Sequence, residues 1–447
     1  MSENSCCKLN NKSIYGQFCG ECPDCRTVVK EKALVEKDGE KVAKKKVRIL
    51  STLDVLISVF VVTPLVVACW RGTWQLMDVY ASYFPPWESF IIGTLIHIVV
   101  GISQESFDGL VNKKHKSRLC NACAFMFMKL YTIVLNGVTN MHWRGGWCIV
   151  DEYFGTRMEN GRTILEDPRG SFCFFTICFL ILFAMRCLRN LNSPPFEICL
   201  DYGDHMFLFP NMFKVKASET ISLYVLDVIF SISIVSNLGM FVWRGIWLLF
   251  DVFYFPQDEV RSAWGSLILG YIIIAIVFLL QPFMKKLCDN LNGIPKLLVA
   301  DAYMMASVIA VIVTWRAIWM LLNIYFLPEN EELSCWITMC VPMLILMIMG
   351  CSNSVLVRGV CLDAEEPDGS CVIFPCNYLK VIFDQEKYDT WFNIWTGKGK
   401  KTDLNNMLNG ILANQSHTIN VINYHLININ DDEKNEKNNN VNKNGVS

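Results

Sequence analysis

Eight long apolar runs alternate with short polar stretches along the chain, at approximately residues 49–72, 88–104, 120–142, 171–188, 220–243, 263–281, 297–319 and 335–357. A helix needs about 20 apolar residues to cross roughly 30 Å of hydrocarbon. Lipid offers no partner for an unpaired backbone group, so runs of this kind are expected as helices. The pattern predicts an all-α integral membrane protein with eight transmembrane helices. Four regions follow from it. Residues 1–48 form a cytoplasmic, cysteine-containing segment. Residues 49–215 and 216–381 form two four-helix halves, each closed by a polar end segment. Residues 382–447 form a cytoplasmic, Asn-rich and partly disordered tail.

The polar positions inside the runs repeat. Trp70-Arg71-Gly72-Thr73-Trp74 recurs as Trp143-Arg144-Gly145-Gly146-Trp147, as Trp243-Arg244-Gly245-Ile246-Trp247 and as Trp315-Arg316-Ala317-Ile318-Trp319. Eight residues after each first Trp stand Asp78, Asp151, Asp251 and Asn323. Spacings of four and eight put both Trp and the acid on one helical face. The partner helices repeat as well: Trp87, Ser89, Ile91, Gly93 and Gln104 match Trp264, Ser266, Ile268, Gly270 and Gln281 at a constant offset of 177. In the fourth helix Arg186 and Arg189 stand where the others carry an amide. The motif spacings of 73, 100 and 72 residues indicate a two-pair unit that was itself duplicated, giving four repeated helix hairpins in two halves. The stretches from Asp201 to Phe209-Pro210-Asn211 and from Asp363 to Phe374-Pro375-Cys376 resemble one another and read as short strand-and-turn segments.

Composition agrees: 53% of the 447 residues are hydrophobic and 18% charged, against roughly 25% charged in a soluble protein. A net charge of −2 gives no sign of nucleic-acid binding. Lys and Arg gather before the first run and in the loops after the second, fourth and sixth. The 75–87 and 320–335 loops contain neither. This bias predicts both termini in the cytoplasm, with the Trp-Arg-Gly-x-Trp motifs toward the outer ends of the odd helices.

The motif admits two readings. In one, Trp anchors the helix among lipid headgroups, Arg snorkels to phosphate and Gly lets helices approach. In the other, the arginines turn into the bundle and pair with the aspartates of neighbouring repeats. Seven residues of helix separate the two groups of one repeat by about 10 Å, which disfavours a direct bond within a repeat and favours pairing between repeats. The first reading is favoured, because Arg at mid-membrane is costly. Asp54, Lys129, Asp227 and Asp301 fall in the inner halves of the odd helices. They read as an ion pathway or, the favoured reading, as inner-interface residues with Lys129 neutralising an Asp. His97, in the second helix, reads as a packing residue. Cys148 and Cys335 are candidates for an outer disulfide. Cys19, Cys22 and Cys25 have metal-like spacing, but zinc takes four ligands, and S-acylation competes with it. No cofactor is expected. Phosphate-loop, zinc-protease and nucleophile-elbow signatures are absent, so no enzymatic activity is expected.

The four motif copies, the acid and aromatic that follow them, and the eight-run layout resemble the fuseless family of animal multi-pass membrane proteins over about residues 48–381. The resemblance implies a plasma-membrane protein of the presynaptic terminal that helps organise voltage-gated calcium channels, with the channel or presynaptic scaffold proteins as partners beside the lipid bilayer. The fourth copy departs from the motif at Ala317 and Asn323. A transporter or channel for a small solute or ion is the alternative, on the strength of internal repetition and intramembrane charge.

Overall fold

A computed structural model describes residues 49–111, 118–159, 162–201, 207–357, 359–366, 368–376 and 378–379. Cys19, Cys22 and Cys25 and the tail 382–447 lie outside the described residues. The chain divides into two units, 1–53 and 54–447. Of the first, only the helical residues 49–53 are described; the second carries everything below.

Eight main helices are described: α1 Ile49–Val79, α2 Pro86–Val111, α3 Arg118–Tyr153, α4 Pro168–Ala184, α5 Ile221–Phe253, α6 Glu259–Asp289, α7 Gly293–Tyr325 and α8 Glu331–Met349. All but α3 and α4 are long and apolar enough to cross a membrane. α3 falls short in hydropathy because its bundle side is polar: Thr132, Asn136, Thr139, Asn140 and His142 are all buried. α4 has 17 residues. Exposed apolar side chains line the outward faces, among them Ile91, Leu95 and Val99 on α2 and Ile268, Ile272 and Ile276 on α6. An apolar exterior around a polar interior fits a lipid bilayer.

Local chemistry sets the helix starts. Asp167, Asp258 and Asn330 each accept a hydrogen bond from the backbone N–H three residues on, capping α4, α6 and α8. α8 stops at Gly350, whose φ of +72° suits glycine. α1 and α5 each contain a π-helical turn, Ser58–Val62 and Ser231–Ser236, at the same interval before Trp70 and Trp243. α3 and α7 contain none among the described residues.

The four odd helices form a closed inner cycle, α1–α3–α5–α7–α1. Each even helix backs one of them from outside: α2 on α3, α4 on α5, α6 on α7 and α8 on α1. The repeat unit therefore differs from the hairpin expected from the sequence. An odd helix packs on the even helix before it, and α1 takes the last helix of the chain. The motif glycines explain this. A Cβ on Gly72 would stand 2.4 Å from the Met339 nitrogen on α8. A Cβ on Gly145 would stand 2.5 Å from the Phe90 nitrogen on α2, and one on Gly245 2.6 Å from the Phe175 side chain on α4. Small residues let these backbones touch, and the contact chooses the partner.

The polar end segments form no strands among the described residues. Residues 202–206 of the first stretch and 367 of the second lie outside the described residues. The rest of both is irregular chain, with a 3-10 turn at Gly369–Val372 in the second, and further 3-10 turns stand ahead of the two stretches at Leu188–Leu191 and Ser352–Val355. The reason is that their backbone groups are satisfied by buried side chains instead of a ladder. The strands that are described, Thr156–Glu159 and Arg162–Leu165, make an antiparallel hairpin between α3 and α4.

These contacts make a packing prediction. Gly72→Ala and Gly145→Ala should each destabilise the protein by about 1–3 kcal/mol, because the added methyl meets backbone that cannot yield. Gly137→Ala, also in α3, meets nothing within 4 Å. It should stabilise by about 0.5–1 kcal/mol through helix propensity. Melting temperatures in detergent measure both; equal shifts for Gly145 and Gly137 would refute the packing role.

Candidate functional site

The motif residues come together on the axis of the inner cycle. The first tryptophans of the four copies form a closed ring. Centroid distances are 5.6 Å for Trp70–Trp143, 6.0 Å for Trp143–Trp243, 5.3 Å for Trp243–Trp315 and 5.8 Å for Trp315–Trp70. One turn along, the second tryptophans close another ring: 5.5 Å for Trp74–Trp147, 5.7 Å for Trp147–Trp247, 6.0 Å for Trp247–Trp319 and 5.9 Å for Trp319–Trp74. Every contact is edge-to-face, the arrangement that brings the positive ring edge to the negative face of its neighbour.

The arginines form a third ring, and they do not snorkel. Arg71, Arg144, Arg244 and Arg316 are each no more than 4% exposed. Each reaches into the preceding repeat. Nε of Arg144 donates to Asp78 at 2.7 Å, that of Arg244 to Asp151 at 2.6 Å, and that of Arg316 to Asp251 at 2.8 Å. Arg71 closes the circle on Asn323 at 2.7 Å. In two of the four, the other guanidinium nitrogens are met by the backing helix. Arg316 also donates to Ser262 and Ser266 of α6, and Arg71 to Ser334 and Thr338 of α8. Arg144 uses the Phe84 carbonyl at 2.8 Å, and Arg244 stands 3.6 Å from Asp251 and 5.0 Å from the Trp147 ring centroid. The favoured interfacial reading is thus corrected for arginine. A planar fork with several fixed partners offsets the desolvation that an unpaired charge would suffer. The serines and threonine that complete the ring are additions to the sequence reading. Ser266 had a signal, as the counterpart of Ser89.

The inner-half charges serve the polar end segments, which together cap the bundle. Asp54 accepts from the Leu379 backbone N–H. Asp227 accepts from the backbone N–H of Phe213 at 3.0 Å and Val215 at 3.1 Å. Lys129 pairs with Asp201, which also accepts from Ser352 and from the Asn353 backbone. Asp301 is buried, and neither of its carboxylate oxygens has a hydrogen-bond partner among the described residues. Across the pseudo-twofold, Asp363 takes the part of Asp201 and accepts from the backbone N–H of Leu188 at 2.7 Å and Arg189 at 2.8 Å. Burial raises the Asp363 carboxyl above the usual carboxylate range, against the pull of those two bonds and of Arg189 and Arg186. His97 lies 3.2 Å from the Nδ1 of His142 and 3.0 Å from the Thr139 hydroxyl, inside the bundle. Cys148 and Cys335 are free thiols.

Between the tryptophan rings and the cap lies a cavity of about 260 Å³, lined by all eight ring indoles and by cap residues such as Leu191, Pro194 and Phe374. None of Asp54, Lys129, Asp227 or Asp301 lines it.

These features define a multi-pass membrane bundle with a fourfold repeated core. The family model described as Fuseless matches residues 49–356, well over half of the chain, and the protein belongs to that family. No curated protein and no solved structure shows a significant match.

The buried ion pairs should couple strongly. A double-mutant cycle on Arg316→Met and Asp251→Asn should give a coupling of about 1.5–3 kcal/mol, as for charge-assisted hydrogen bonds away from water. The same cycle on Arg157 and Glu166 of the hairpin, both more than half exposed, should give no more than about 1 kcal/mol. Denaturation in mixed detergent reads both, and comparable couplings would argue against a structural guanidinium ring.

Proposed function

We propose that this protein is a non-enzymatic membrane organiser that supports voltage-gated calcium channels and vesicle release at the presynaptic membrane. In this reading all eight helices cross the bilayer and both termini are cytoplasmic. The channel or its presynaptic scaffold is the partner expected from membership of the family. α3 turns apolar Met126, Leu130 and Val134 outward while its polar side faces the bundle. α4 spans about 26 Å at 1.5 Å per residue, close to the hydrocarbon thickness.

The observation that carries the reading is the use made of the intramembrane charges. A transporter coupled to them needs them on a path. Asp54 and Asp227 instead hold cap backbone, Lys129 is matched by Asp201, and none lines the axial cavity. Two edge-to-face indole rings across the axis make a stiff frame. Such a frame suits a protein that presents loops and termini to partners. The axial cavity favours a second reading, a transporter or channel for a small solute or ion.

Changing Asp54, Asp227 and Asp301 together to Asn separates the two. One acceptor oxygen remains at each site, and Lys129 keeps Asp201. The variant is expected to reach the surface and still support calcium-channel clustering, measured by imaging channel puncta against surface-labelled protein. Loss of clustering at unchanged surface level, together with loss of an ion flux, would establish the transporter reading instead. Orientation has its own check. The sequons at Asn11 and Asn414 should remain unglycosylated in cells. A glycosidase-sensitive mass shift that disappears in Asn414→Gln would reverse the topology.

A further inference from the structure

Gly93 lets α2 close on α3: a Cβ there would stand 2.8 Å from the His142 Cα. The contact sets His97 of α2 against His142 of α3, with their Nδ1 atoms 3.2 Å apart. The remaining bonds of the pair fix where its protons stand. Asn237 donates its amide N–H to the Ser233 carbonyl at 2.9 Å, so its oxygen is left to accept from His142 Nε2–H at 2.8 Å. Thr139 donates its one hydroxyl proton to the Leu135 carbonyl at 2.7 Å, so its oxygen accepts from His97 Nε2–H at 3.0 Å. Two neutral rings protonated at Nε2 then turn their bare Nδ1 lone pairs on each other. Four contacts call for four protons, and two neutral imidazoles and a hydroxyl bring three.

The repeat does not impose this cluster. At the corresponding positions of the second half stand Ile274, Val311 and Thr314 in place of His97, Thr139 and His142, and α1 has Pro64 in place of Asn237. A cavity of about 100 Å³ runs from the cap to His97 and is lined by Asn211 and by Ser231 and Ser236 of the α5 π-helical turn. It has room for several waters. Asn211 stands where the second half has Cys376. It is only 9% exposed, and its side-chain amide has no hydrogen-bond partner among the described residues, so it can bond water there. No carboxylate acts on either ring among the described residues; the ionisable neighbour of His97 is His142. The ionisable groups of the surrounding helices are engaged elsewhere. Lys129 is held by Asp201, Arg144 by Asp78, Arg244 by Asp151, and Asp54 and Asp227 by cap backbone. Glu88 stands in the first turn of α2, Glu105 accepts from the Ala217 backbone N–H, and Tyr224 donates to the Gly101 carbonyl. The Cys187 thiol, across the cavity, donates to the Met185 carbonyl. A metal ion in the gap would need further ligands, and no three His, Cys, Asp or Glu side chains are gathered for one among the described residues. We propose that His97 and His142 bind one proton between their Nδ1 atoms, exchanged through water in this cavity. The charged pair then has every N–H bonded, the condition for holding a cation away from water. The site stands independently of the organiser reading.

The test is a potentiometric difference titration of the full-length protein in detergent between about pH 8 and 4, the range in which histidines exchange protons. The reference is the double variant His97→Ile with His142→Thr, which carries the residues that the second half already packs. The unchanged protein should take up one proton more than this reference. His142→Thr alone should lose that same proton, because both lone pairs are needed to hold it. A difference of zero or of two protons overturns the proposal. So does a proton retained in His142→Thr, which would belong to His97 alone. If the variants do not fold, 15N spectra of the histidine-labelled unchanged protein decide. A coupling between the two Nδ1 atoms, in rings with both Nε2 atoms protonated, should appear over the same range, and its absence overturns the proposal.

Discussion

Four guanidinium groups buried inside a membrane bundle are the constraint around which the rest is arranged. Arginine cannot shed its charge, and an unmatched one in a low-dielectric interior costs several kcal/mol after relaxation. Each copy therefore needs an acceptor at a fixed place. Its own aspartate is attached about 10 Å further along the same helix; Arg244 still comes within 3.6 Å of its own Asp251, but the short hydrogen bond of every copy goes to a neighbour. When every copy takes the aspartate of the copy before it, the helices are forced into a cycle. The pairs Arg144–Asp78, Arg244–Asp151 and Arg316–Asp251 fix its order, and Arg71 on Asn323 closes it. The indoles one residue before and three residues after each arginine then fall at common depths and meet edge to face, without any further instruction.

Fourfold order holds at this level and breaks toward the cap, where the chain has only twofold repetition. Asp201 of the first half holds the turn after α8, and Asp363 of the second half holds the turn after α4. Gln104 accepts from the Phe209 backbone as Gln281 accepts from the Phe374 backbone. Each half thus finishes the other, and neither cap segment has its backbone satisfied alone. Lys129 and Asp301 occupy the same interval before their tryptophans yet carry opposite charge, so the two halves are not electrostatic copies. Lys129 has its acid in Asp201, whereas Asp301 faces the field of Asp363 and Arg186.

Much of this was legible in the residues. Periodic apolar runs and the four motif copies announce helices, repetition and a shared helical face. The between-repeat pairing follows from one distance argument, though the cost of buried arginine weighs the other way when the hydroxyls of Ser262, Ser266, Ser334 and Thr338 are not yet in view. What could not be read was which helices pack together. Sequence adjacency suggests α1 with α2, but a loop only ties helix ends, while contact is chosen by the small residue at Gly72 and the backbone it meets on α8. Nor do the cap segments reveal themselves. Their alternating residues look like strands, and only the placement of Asp54, Asp227, Asp201 and Asp363 removes the need for a ladder.

A ring built from one linear chain must have a seam where the last repeat meets the first, and here the motif departs at the seam. The fourth copy has Ala317 in place of Gly and Asn323 in place of Asp. Asn323 accepts from Arg71 and, at 3.1 Å, from the side-chain amide of Gln75. The Tyr80 hydroxyl reaches Glu332 across the same junction, and Glu331 in the first turn of α8 acts electrostatically on Arg71. Negative charge missing from the ring is therefore returned from the start of α8, the helix that backs α1 across the whole length of the chain. The three sequential junctions are held by ion pairs between neighbours in sequence. The seam is held by an amide, a phenol and two carboxylates gathered from both ends, so closing the bundle requires α8 to be in place. In this architecture the last helix is a structural condition for the first.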